Sequence, residues 1–179
     1  QLNRIYSPAS LPVANSELST PESVLFPSAD DQRVHAFFYP PINAHFCGDE
    51  QELPLVIAIC HGGPTGATDS SLNLKIQYWT NRGFAVVDIN YRGSTGFGRH
   101  YRQSLTGAWG LADVGDAQYA IGHLASLGKI DSERCIIRGG SAGGYTVLSA
   151  LTFTDTFKAG ASLYGIGNLE TLATDTHKF

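Results

Sequence analysis

A glycine-rich turn between an apolar segment and a helix-like segment is the feature that most restricts how this chain can fold. It reads Gly139-Gly140-Ser141-Ala142-Gly143. The apolar run Cys135 to Ile137 predicts a buried strand before the turn, and Ala142 to Phe153 predicts a helix after it. A strand that turns so sharply into a helix strains the residue at the turn and lifts its side chain clear of the sheet. At such a turn, the residues two positions before and after the serine lie so close to neighbouring atoms that a Cβ atom would clash. Gly139 and Gly143 therefore indicate that the Ser141 hydroxyl is exposed at the end of the strand.

Strand-like and helix-like segments alternate along the chain from Leu53 onward. The predicted strands are apolar runs of the kind that sheets bury on both faces: Leu55–Cys60, Phe84–Ile89, Cys135–Ile137 and Ala159–Leu163. The predicted helices are Ser70–Arg82, Leu111–Leu127 and Ala142–Phe153. Repeated strand–helix–strand units predict a parallel sheet with helices on both faces, which places the chain in the α/β class.

The first part of the chain lacks this alternation. Val24–Phe26 and Val34–Tyr39 are β-prone runs on either side of a turn-rich spacer, so they predict an antiparallel pair. Residues 1–22 contain three prolines and no sustained period, and we expect a linker or the edge of a preceding domain. The chain begins with Gln1, has no Met, and stops at Phe179 after a helix-like stretch. We therefore expect a piece of a longer protein.

The balance of charge argues against two classes of partner. With 16 acidic and 12 basic residues the formal net charge is −4, and Lys and Arg form no block. Binding to nucleic acid or to an anionic membrane is therefore not expected, and no apolar run approaches the ~20 residues of a membrane span. Cys60 and Cys135 lie in apolar strand patterns and are predicted to be buried, reduced thiols. Reduced thiols, and a start without a signal-peptide pattern, favour the cytoplasm.

The turn at Ser141 matches the G-x-S-x-G pattern of hydrolases, in which a serine hydroxyl attacks a carbonyl carbon. A phosphate-binding loop would need a Lys after the turn, and the dinucleotide pattern G-x-G-x-x-G is absent from it. Attack creates a negative oxygen that needs two aligned N–H donors. One donor is expected from Ala142, and the other from Gly63 in His61-Gly62-Gly63-Pro64, which follows a predicted strand. His61 is expected to brace this loop, not to act as the base.

Four ordered motifs give the chain a resemblance to a known family. They are His61-Gly62-Gly63-Pro64-Thr65-Gly66, Asn90-Tyr91-Arg92-Gly93-Ser94-Thr95-Gly96-Phe97-Gly98, Trp109-Gly110 with Asp113-Val114, and Gly139-Gly140-Ser141-Ala142-Gly143-Gly144-Tyr145. On these residues the chain resembles the prolyl oligopeptidase family of serine peptidases, within it the branch of acylaminoacyl peptidases and dipeptidyl-peptidase-like aminopeptidases. The resemblance runs from about Leu53 to the end of the chain. It implies an α/β-hydrolase fold preceded by a β-propeller, a short peptide or acyl-peptide substrate, and no metal or organic cofactor.

The resemblance also assigns roles to residues outside the two glycine-rich segments. The stretch Asn90–Gly98 would support the loop at Gly63 and pack near the active site. Arg92, Asp113 and Asp116 would form structural ion pairs or caps and take no part in catalysis.

The chain offers no well-placed acid and base for Ser141. In this fold the catalytic serine, acid and histidine follow in that order along the chain. The candidates after the serine are Asp155, Glu170, Asp175 and His177. Asp155 lies beyond the predicted helix, about 20 Å away at 1.5 Å per residue, and Asp175 and His177 are too close in sequence for the acid to hold one ring nitrogen while the other faces the serine. The family places both partners on later strands, so we expect residues 23–179 to be the N-terminal portion of the catalytic domain, truncated before the last strands of the parallel sheet.

The expected function is hydrolysis of short peptides, or of N-terminal aminoacyl or acylaminoacyl bonds, through an acyl-enzyme on Ser141. We expect the isolated chain to be inactive because an unassisted serine hydroxyl is a weak nucleophile. Its expected partners are the remaining catalytic segment and a propeller, which residues 1–22 would join. The sequence leaves room for a homo-oligomer and does not define the N-terminal specificity. Two alternatives stay open: a carboxylesterase or lipase on the same fold, and a non-catalytic hydrolase-fold fragment.

Overall fold

The computed structural model describes residues 13–49 and 51–175, and a six-stranded sheet forms its centre. The strands are β1 (Glu22–Pro27), β2 (Arg33–Tyr39), β3 (Val56–Cys60), β4 (Ala85–Asn90), β5 (Cys135–Gly140) and β6 (Ala159–Leu163). Their order across the sheet is β1-β2-β4-β3-β5-β6. The last four are parallel, as predicted, and together with the helices they form the first part of an α/β-hydrolase fold.

The predicted antiparallel pair is confirmed, and it belongs to the same sheet. β1 and β2 pair with Val24 opposite Ala36. β2 then pairs antiparallel to β4, with Phe37 opposite Asp88. The hairpin therefore closes one side of the parallel strands, so the sheet is mixed and not wholly parallel.

The described residues also form five α-helices. They are α1 (Leu74–Thr80), α2 (Gly98–Gln103), α3 (Ala112–Ser126), α4 (Ala142–Phe153) and α5 (Leu169–Asp175). α1 is shorter than predicted because the side chain of Asn73 accepts a hydrogen bond from the amide of Lys75 and caps the helix there. α2 was not predicted, since it is six residues long and only Tyr101 in it is buried.

The two faces of the sheet bury separate apolar clusters, which explains the continuous apolar runs. Alternate residues of β3 and β4, among them Ala58 and Val87, pack against residues of α3 and α4. The residues between them, such as Ile57 and Val86, pack against Ile76 of α1 on the other face. Within the described residues, no helix combines the length and the apolar character needed to cross a bilayer.

The cysteine predictions are confirmed for the two strand positions. Cys60 and Cys135 are buried and free. Burial raises the pKa of both thiols, so they stay protonated at neutral pH. Cys47 is free and exposed.

Part of the segment predicted as a linker packs against the domain. Ser19 is 4% exposed. Its amide donates to Oε1 of Gln77 at 2.7 Å, and Nε2 of Gln77 donates to the carbonyl oxygen of Ser19 at 3.0 Å. The Ser19 hydroxyl donates to the carbonyl oxygen of Pro40 at 2.6 Å. Residues 1–12 lie outside the described residues, and a connection to a preceding propeller stays a prediction.

β6 is the last strand of the described sheet on the side away from the hairpin. It pairs with β5 alone among the described strands, and four of its five residues are exposed. Leu163 in β6 and Leu151 in the adjacent α4 are each 39% exposed. This edge therefore presents both unpaired backbone groups and apolar side chains to solvent.

A carboxylate is buried in β4. Asp88 is 6% exposed. One carboxyl oxygen, Oδ2, accepts a hydrogen bond from the Thr68 hydroxyl, and the other, Oδ1, has no partner among the described residues. Burial raises the pKa of Asp88 to about 6; the Thr68 bond opposes this rise, and the nearby charge of Asp69 adds to it.

We expect the Asp88→Asn variant to be more stable than the native chain at pH 7.5 and equally stable at pH 4. The folded state holds the Asp88 proton more tightly than the unfolded state, so stability contributed by that proton is present below pH 4 and lost as pH rises through 6. A pKa rise of about two units corresponds to roughly 3 kcal/mol at neutral pH. Urea unfolding at both pH values measures the difference, and an equal gain at pH 4 and pH 7.5 would contradict the titration of Asp88.

Candidate active site

Ser141 lies where β5 ends and α4 begins. Its backbone angles are φ 55° and ψ −118°, a conformation that costs a non-glycine residue about 1–3 kcal/mol. The residue is exposed, and its amide donates to the carbonyl oxygen of Leu163 at the end of β6 at 3.0 Å. Its hydroxyl makes no hydrogen bond to any residue in the ranges 13–49 and 51–175. The predicted strained, outward-facing serine is thus present.

The glycines on either side of Ser141 are required by close backbone contacts. A Cβ atom on Gly139 would lie 2.3 Å from the carbonyl oxygen of Gly143. A Cβ atom on Gly143 would lie 2.1 Å from the carbonyl oxygen of Cys60, the last residue of β3. Non-bonded carbon and oxygen atoms do not approach so closely, so this strand–turn–helix geometry excludes a side chain at both positions. The steric argument made from the sequence is confirmed.

The glycine-rich loop after β3 lies beside Ser141. A Cβ atom on Gly62 would be 3.6 Å from Cβ of Ser141 and 3.2 Å from the carbonyl oxygen of Gly140. Within the described part of the chain, the amides of Gly63 and Ala142 have no hydrogen-bond acceptor. Ala142 is also the first residue of α4, where the helix dipole adds partial positive charge. Two unsatisfied donors are therefore available close to the serine.

His61 is held by contacts on both ring nitrogens. Nε2 lies 2.8 Å from the hydroxyl oxygen of Ser94, and Nδ1 lies 2.8 Å from the carbonyl oxygen of Gly62. The ring stacks on Tyr91 with centroids 4.3 Å apart. Burial lowers the pKa of His61, and the contact with Gly62 partly opposes this, so the ring is neutral at pH 7. A ring fixed at both nitrogens is suited to holding the loop and poorly suited to taking a proton from Ser141.

The segment after β4 supports the loop. The Tyr91 hydroxyl donates to the carbonyl oxygen of His61 at 2.8 Å. The Thr95 amide donates to the carbonyl oxygen of Gly66 at 2.8 Å. These bonds join both ends of the loop to the Asn90–Gly98 stretch, as the resemblance implied.

Arg92, within the Asn90–Gly98 stretch, forms a buried ion pair with Asp116 of α3. Nε of Arg92 lies 3.0 Å from Oδ1 of Asp116, and a second guanidinium nitrogen lies 2.9 Å from the same oxygen. Asp116 is completely buried and also accepts a hydrogen bond from the Ser28 hydroxyl at 2.5 Å. Asp113, likewise buried, accepts from the amide of Gly110 at 2.6 Å and from the Thr146 hydroxyl. These contacts are structural, and none of them involves Ser141.

The other acidic candidates are not brought to Ser141. Asp155 lies beyond the C-terminal end of α4, the end opposite the serine, and Glu170 is exposed in the first turn of α5. Asp175 ends α5 and His177 lies outside the described residues, so the interpretation of the Asp175–His177 pair stays a prediction. Among the described residues no acid–base pair contacts the serine.

Tyr164 is a neighbour of the site that the sequence did not indicate. It follows β6, it is 84% exposed, and its φ of 42° lies in the left-handed region. A Cβ atom on Gly140 would be 2.9 Å from its hydroxyl oxygen. A single aromatic residue after a predicted strand is not part of any sequence motif, so its position next to the serine turn could not be predicted.

A sequence model of the prolyl oligopeptidase family matches residues 70–179, more than half of the chain. The chain belongs to the prolyl oligopeptidase family. The matched range includes the stretch Asn90–Gly98, Ser141, and Gly139 and Gly143 on either side of the serine.

Several peptidases are similar to this prolyl oligopeptidase-family chain. It is 34% identical over 149 residues to the dipeptidyl aminopeptidase BIII of Pseudoxanthomonas mexicana, which covers 81% of this chain and 22% of that protein. It is 34% identical over 118 residues to the acylamino-acid-releasing enzyme of Arabidopsis thaliana, which covers 65% of this chain and 15% of that protein. Among solved structures, a puromycin-hydrolysing peptidase of Mycobacterium tuberculosis superposes with a TM-score of 0.91 at 45% identity, covering 94% of this chain and 26% of that one.

These comparisons confirm the family and the fold predicted from the motifs. The prolyl oligopeptidase-family chain spans about a quarter or less of the length of these relatives. Its homologues are peptidases, and the family match over residues 70–179 includes the start of α4 as well as Ser141.

Proposed function

We propose that Ser141 is the nucleophile of a serine peptidase that cleaves short peptides or N-terminal aminoacyl or acylaminoacyl bonds. The observation that supports this most is the exposed, strained serine beside the amides of Gly63 and Ala142, which have no acceptor among residues 13–49 and 51–175. Such donors stabilise the negative oxygen of a tetrahedral intermediate because they are oriented before the charge forms. The similarity to aminopeptidases and acylamino-acid-releasing enzymes supports the choice of substrate.

The proposed reaction passes through an ester on the serine. The hydroxyl oxygen of Ser141 attacks the carbonyl carbon, its proton moves to a histidine base, and the oxygen of the carbonyl becomes negative between the amides of Gly63 and Ala142. The intermediate collapses, the C–N bond breaks, and the leaving amine takes the proton from the histidine. Water then attacks the acyl-enzyme by the same route and releases the acid and the free serine.

The histidine and the acid that orients it are proposed to lie in a further segment of the catalytic domain. None of the described residues supplies such a pair at Ser141, and the described strands leave one edge of β6 open to a further strand. A propeller joined through residues 1–22, as in the family, would limit access to short substrates. The buried thiols Cys60 and Cys135 are compatible with a reducing compartment such as the cytoplasm.

Labelling with a fluorophosphonate tests the dependence on a further segment. The isolated 179-residue chain should label at Ser141 far below stoichiometry, because the hydroxyl lacks a base. The same chain extended by the remainder of the catalytic domain should label stoichiometrically. Intact mass before and after reaction measures both, and stoichiometric labelling of the isolated chain would contradict the proposal.

A carboxylesterase or lipase on the same fold is the alternative enzyme class. Rates on p-nitrophenyl esters and on aminoacyl p-nitroanilides separate the two, with the anilides favoured by a peptidase. Puromycin belongs in the same comparison, because two puromycin hydrolases superpose with TM-scores of 0.90 and 0.91. A non-catalytic fragment would process none of these substrates even when the further segment is present.

A further inference from the structure

The N-terminal part of α4 is bonded to the start of α3. Asp113, in the first turn of α3, accepts a hydrogen bond through Oδ2 from the hydroxyl of Thr146 in α4. Both residues are completely buried. Because the bond joins two helices at residues 33 positions apart in the sequence, it restricts how α4 lies against α3.

Ionisation of Asp113 strengthens this bond. Burial raises the pKa of Asp113, and hydrogen bonds from the Thr146 hydroxyl and the Gly110 amide oppose that rise. The Gly110 amide donates to the other carboxyl oxygen, Oδ1, at 2.6 Å. Both bonds therefore favour the charged carboxylate. Hydrogen bonds to an ionised acceptor are roughly twice as strong as those between neutral groups, so the two helices are joined by a strong, directional contact.

Tyr145, next to Thr146 in α4, is held by the segment that leads into α3. The ring of Trp109 meets the Tyr145 ring edge-on, with the centroids 5.1 Å apart. Gly110 has a φ of 85°, and a Cβ atom there would lie 2.9 Å from Cε1 of Tyr145. The close approach therefore leaves no space for a side chain at Gly110. Two successive residues of α4 are thus fixed by the segment 109–113.

Tyr145 in turn holds the peptide unit that carries one proposed oxyanion donor. Its amide donates to the carbonyl oxygen of Ser141 at 3.2 Å. That carbonyl and the amide of Ala142 belong to the same peptide unit, which is planar. A change in the direction of the carbonyl therefore turns the Ala142 N–H with it. Thr146 makes a further contact with this turn, since its hydroxyl lies 3.3 Å from the carbonyl oxygen of Ala142.

We propose that Asp113 is a positioning residue that orients the amide of Ala142 toward the carbonyl oxygen of the substrate. The inference rests on the proposed function, in which this amide stabilises the oxyanion. Asp113 acts through Thr146 and the first turn of α4, and its hydrogen bonds do not reach Ser141. A preorganised donor is effective because it already points to where charge develops, and a hydrogen bond weakens steeply as it bends. Loss of the Asp113–Thr146 bond therefore slows the chemical step and leaves substrate binding unchanged.

A purely structural role for the bond is the alternative, and Thr80 provides a matched control for it. Thr80 is also completely buried, and its hydroxyl donates to the carbonyl oxygen of Gln77 at 3.2 Å. It ends α1, just before β4 begins, at the edge of the sheet opposite to the one where β5 leads into Ser141. Valine has the shape of threonine without the hydroxyl. The same substitution at Thr80 and at Thr146 therefore removes a buried hydrogen bond far from the serine in one case and beside it in the other.

Steady-state kinetics on an aminoacyl p-nitroanilide tests the inference in a protein that contains this chain and a complete catalytic domain. Thr146→Val should lower kcat by about 10- to 100-fold, since a misplacement of about 1 Å costs on the order of 100-fold in rate. Its KM should stay within about a factor of two, because an interaction made only in the transition state is lost from kcat. Thr146→Ser keeps the hydroxyl and should restore kcat to within about threefold of the native value. Thr80→Val should match the native protein within about a factor of two.

Replacing the partner tests whether the two residues act together. Asp113→Ala should lower kcat to about the same extent as Thr146→Val, and the double variant should fall no further, because both changes remove one bond. All variants are assayed below the onset of unfolding. Thr146→Ala removes the same hydroxyl and leaves space for a water molecule at the carboxylate, so it replaces Thr146→Val if that variant does not fold, with the same expected loss.

Several results would overturn the inference. They are a kcat of Thr146→Val within about threefold of the native value, an equal loss in Thr80→Val, a loss confined to KM, failure of Thr146→Ser to restore kcat, and additive losses in the double variant. Ser141→Ala in the same protein separates this inference from the proposed function. If Ser141→Ala keeps its activity, the proposed function fails and this inference fails with it. If Ser141→Ala is inactive while Thr146→Val is fully active, only the role of Asp113 is refuted.

Discussion

Replacing Ser141 by alanine should lower kcat/KM for peptide hydrolysis by about 10⁵-fold in a protein that contains this chain and a complete catalytic domain. In the proposed mechanism this variant removes the oxygen atom that would form the acyl-enzyme, while the amides of Gly63 and Ala142 stay in place. The residual rate would come from binding and oxyanion stabilisation alone. Steady-state kinetics on an aminoacyl p-nitroanilide measures the loss.

The control for this experiment is Ser126→Ala. Ser126 is exposed at the end of α3, and its hydroxyl donates only to the carbonyl oxygen of His123, at 2.8 Å. Its activity should match that of the native protein within a factor of two. Retention of more than about a hundredth of the activity by Ser141→Ala would assign the chemistry to another residue, because a lost nucleophile costs far more than a factor of 100.

The Gly143→Ala variant should lose at least about 3 kcal/mol of stability, near the upper end of overpacking effects. The added methyl carbon would lie 2.1 Å from the carbonyl oxygen of Cys60 and 2.7 Å from that of His61. Both contacts are backbone, so they can be relieved only by moving α4 away from β3. For a domain of this size the melting temperature should fall by about 10 °C. Thermal unfolding followed by circular dichroism measures the shift.

Gly122→Ala is the matched control for the steric effect. Gly122 is exposed within α3, and a Cβ atom there would meet no atom within 4 Å. Alanine is the better helix former, so this variant should gain about 0.5–1 kcal/mol. A Gly143→Ala variant that melts within 2 °C of the native chain would contradict the close approach of β3 and α4.

The part of the site formed by neighbouring residues could be predicted from the sequence. The geometry at Ser141 depends on a turn of five residues whose steric needs are visible in Gly139 and Gly143. The parallel strands could also be predicted, because strands buried on both faces consist of continuous apolar runs such as Val56–Cys60. The α/β-hydrolase fold followed from these local signals together with the ordered family motifs.

Features that depend on contacts between distant segments could not be predicted in the same way. The antiparallel pairing of β2 with β4 joins residues about 50 positions apart, such as Phe37 and Asp88, and nothing local indicates it. The contact between His61 and Ser94 is also non-local, although the bracing role of His61 was expected. The unpartnered oxygen of Asp88 could not be predicted for a related reason. A single acidic residue within an apolar run indicates neither how deeply it is buried nor which groups it contacts.

The bonds between Ser19 and Gln77 have a practical consequence for defining the domain. The family match begins at residue 70, after β1, β2 and β3. An expression boundary chosen from that match would delete half of the strands and leave β4 without either neighbour. The packing instead places the start of the folding unit at or before Ser19, so recombinant versions should keep the segment that precedes the hairpin even though the family match does not include it.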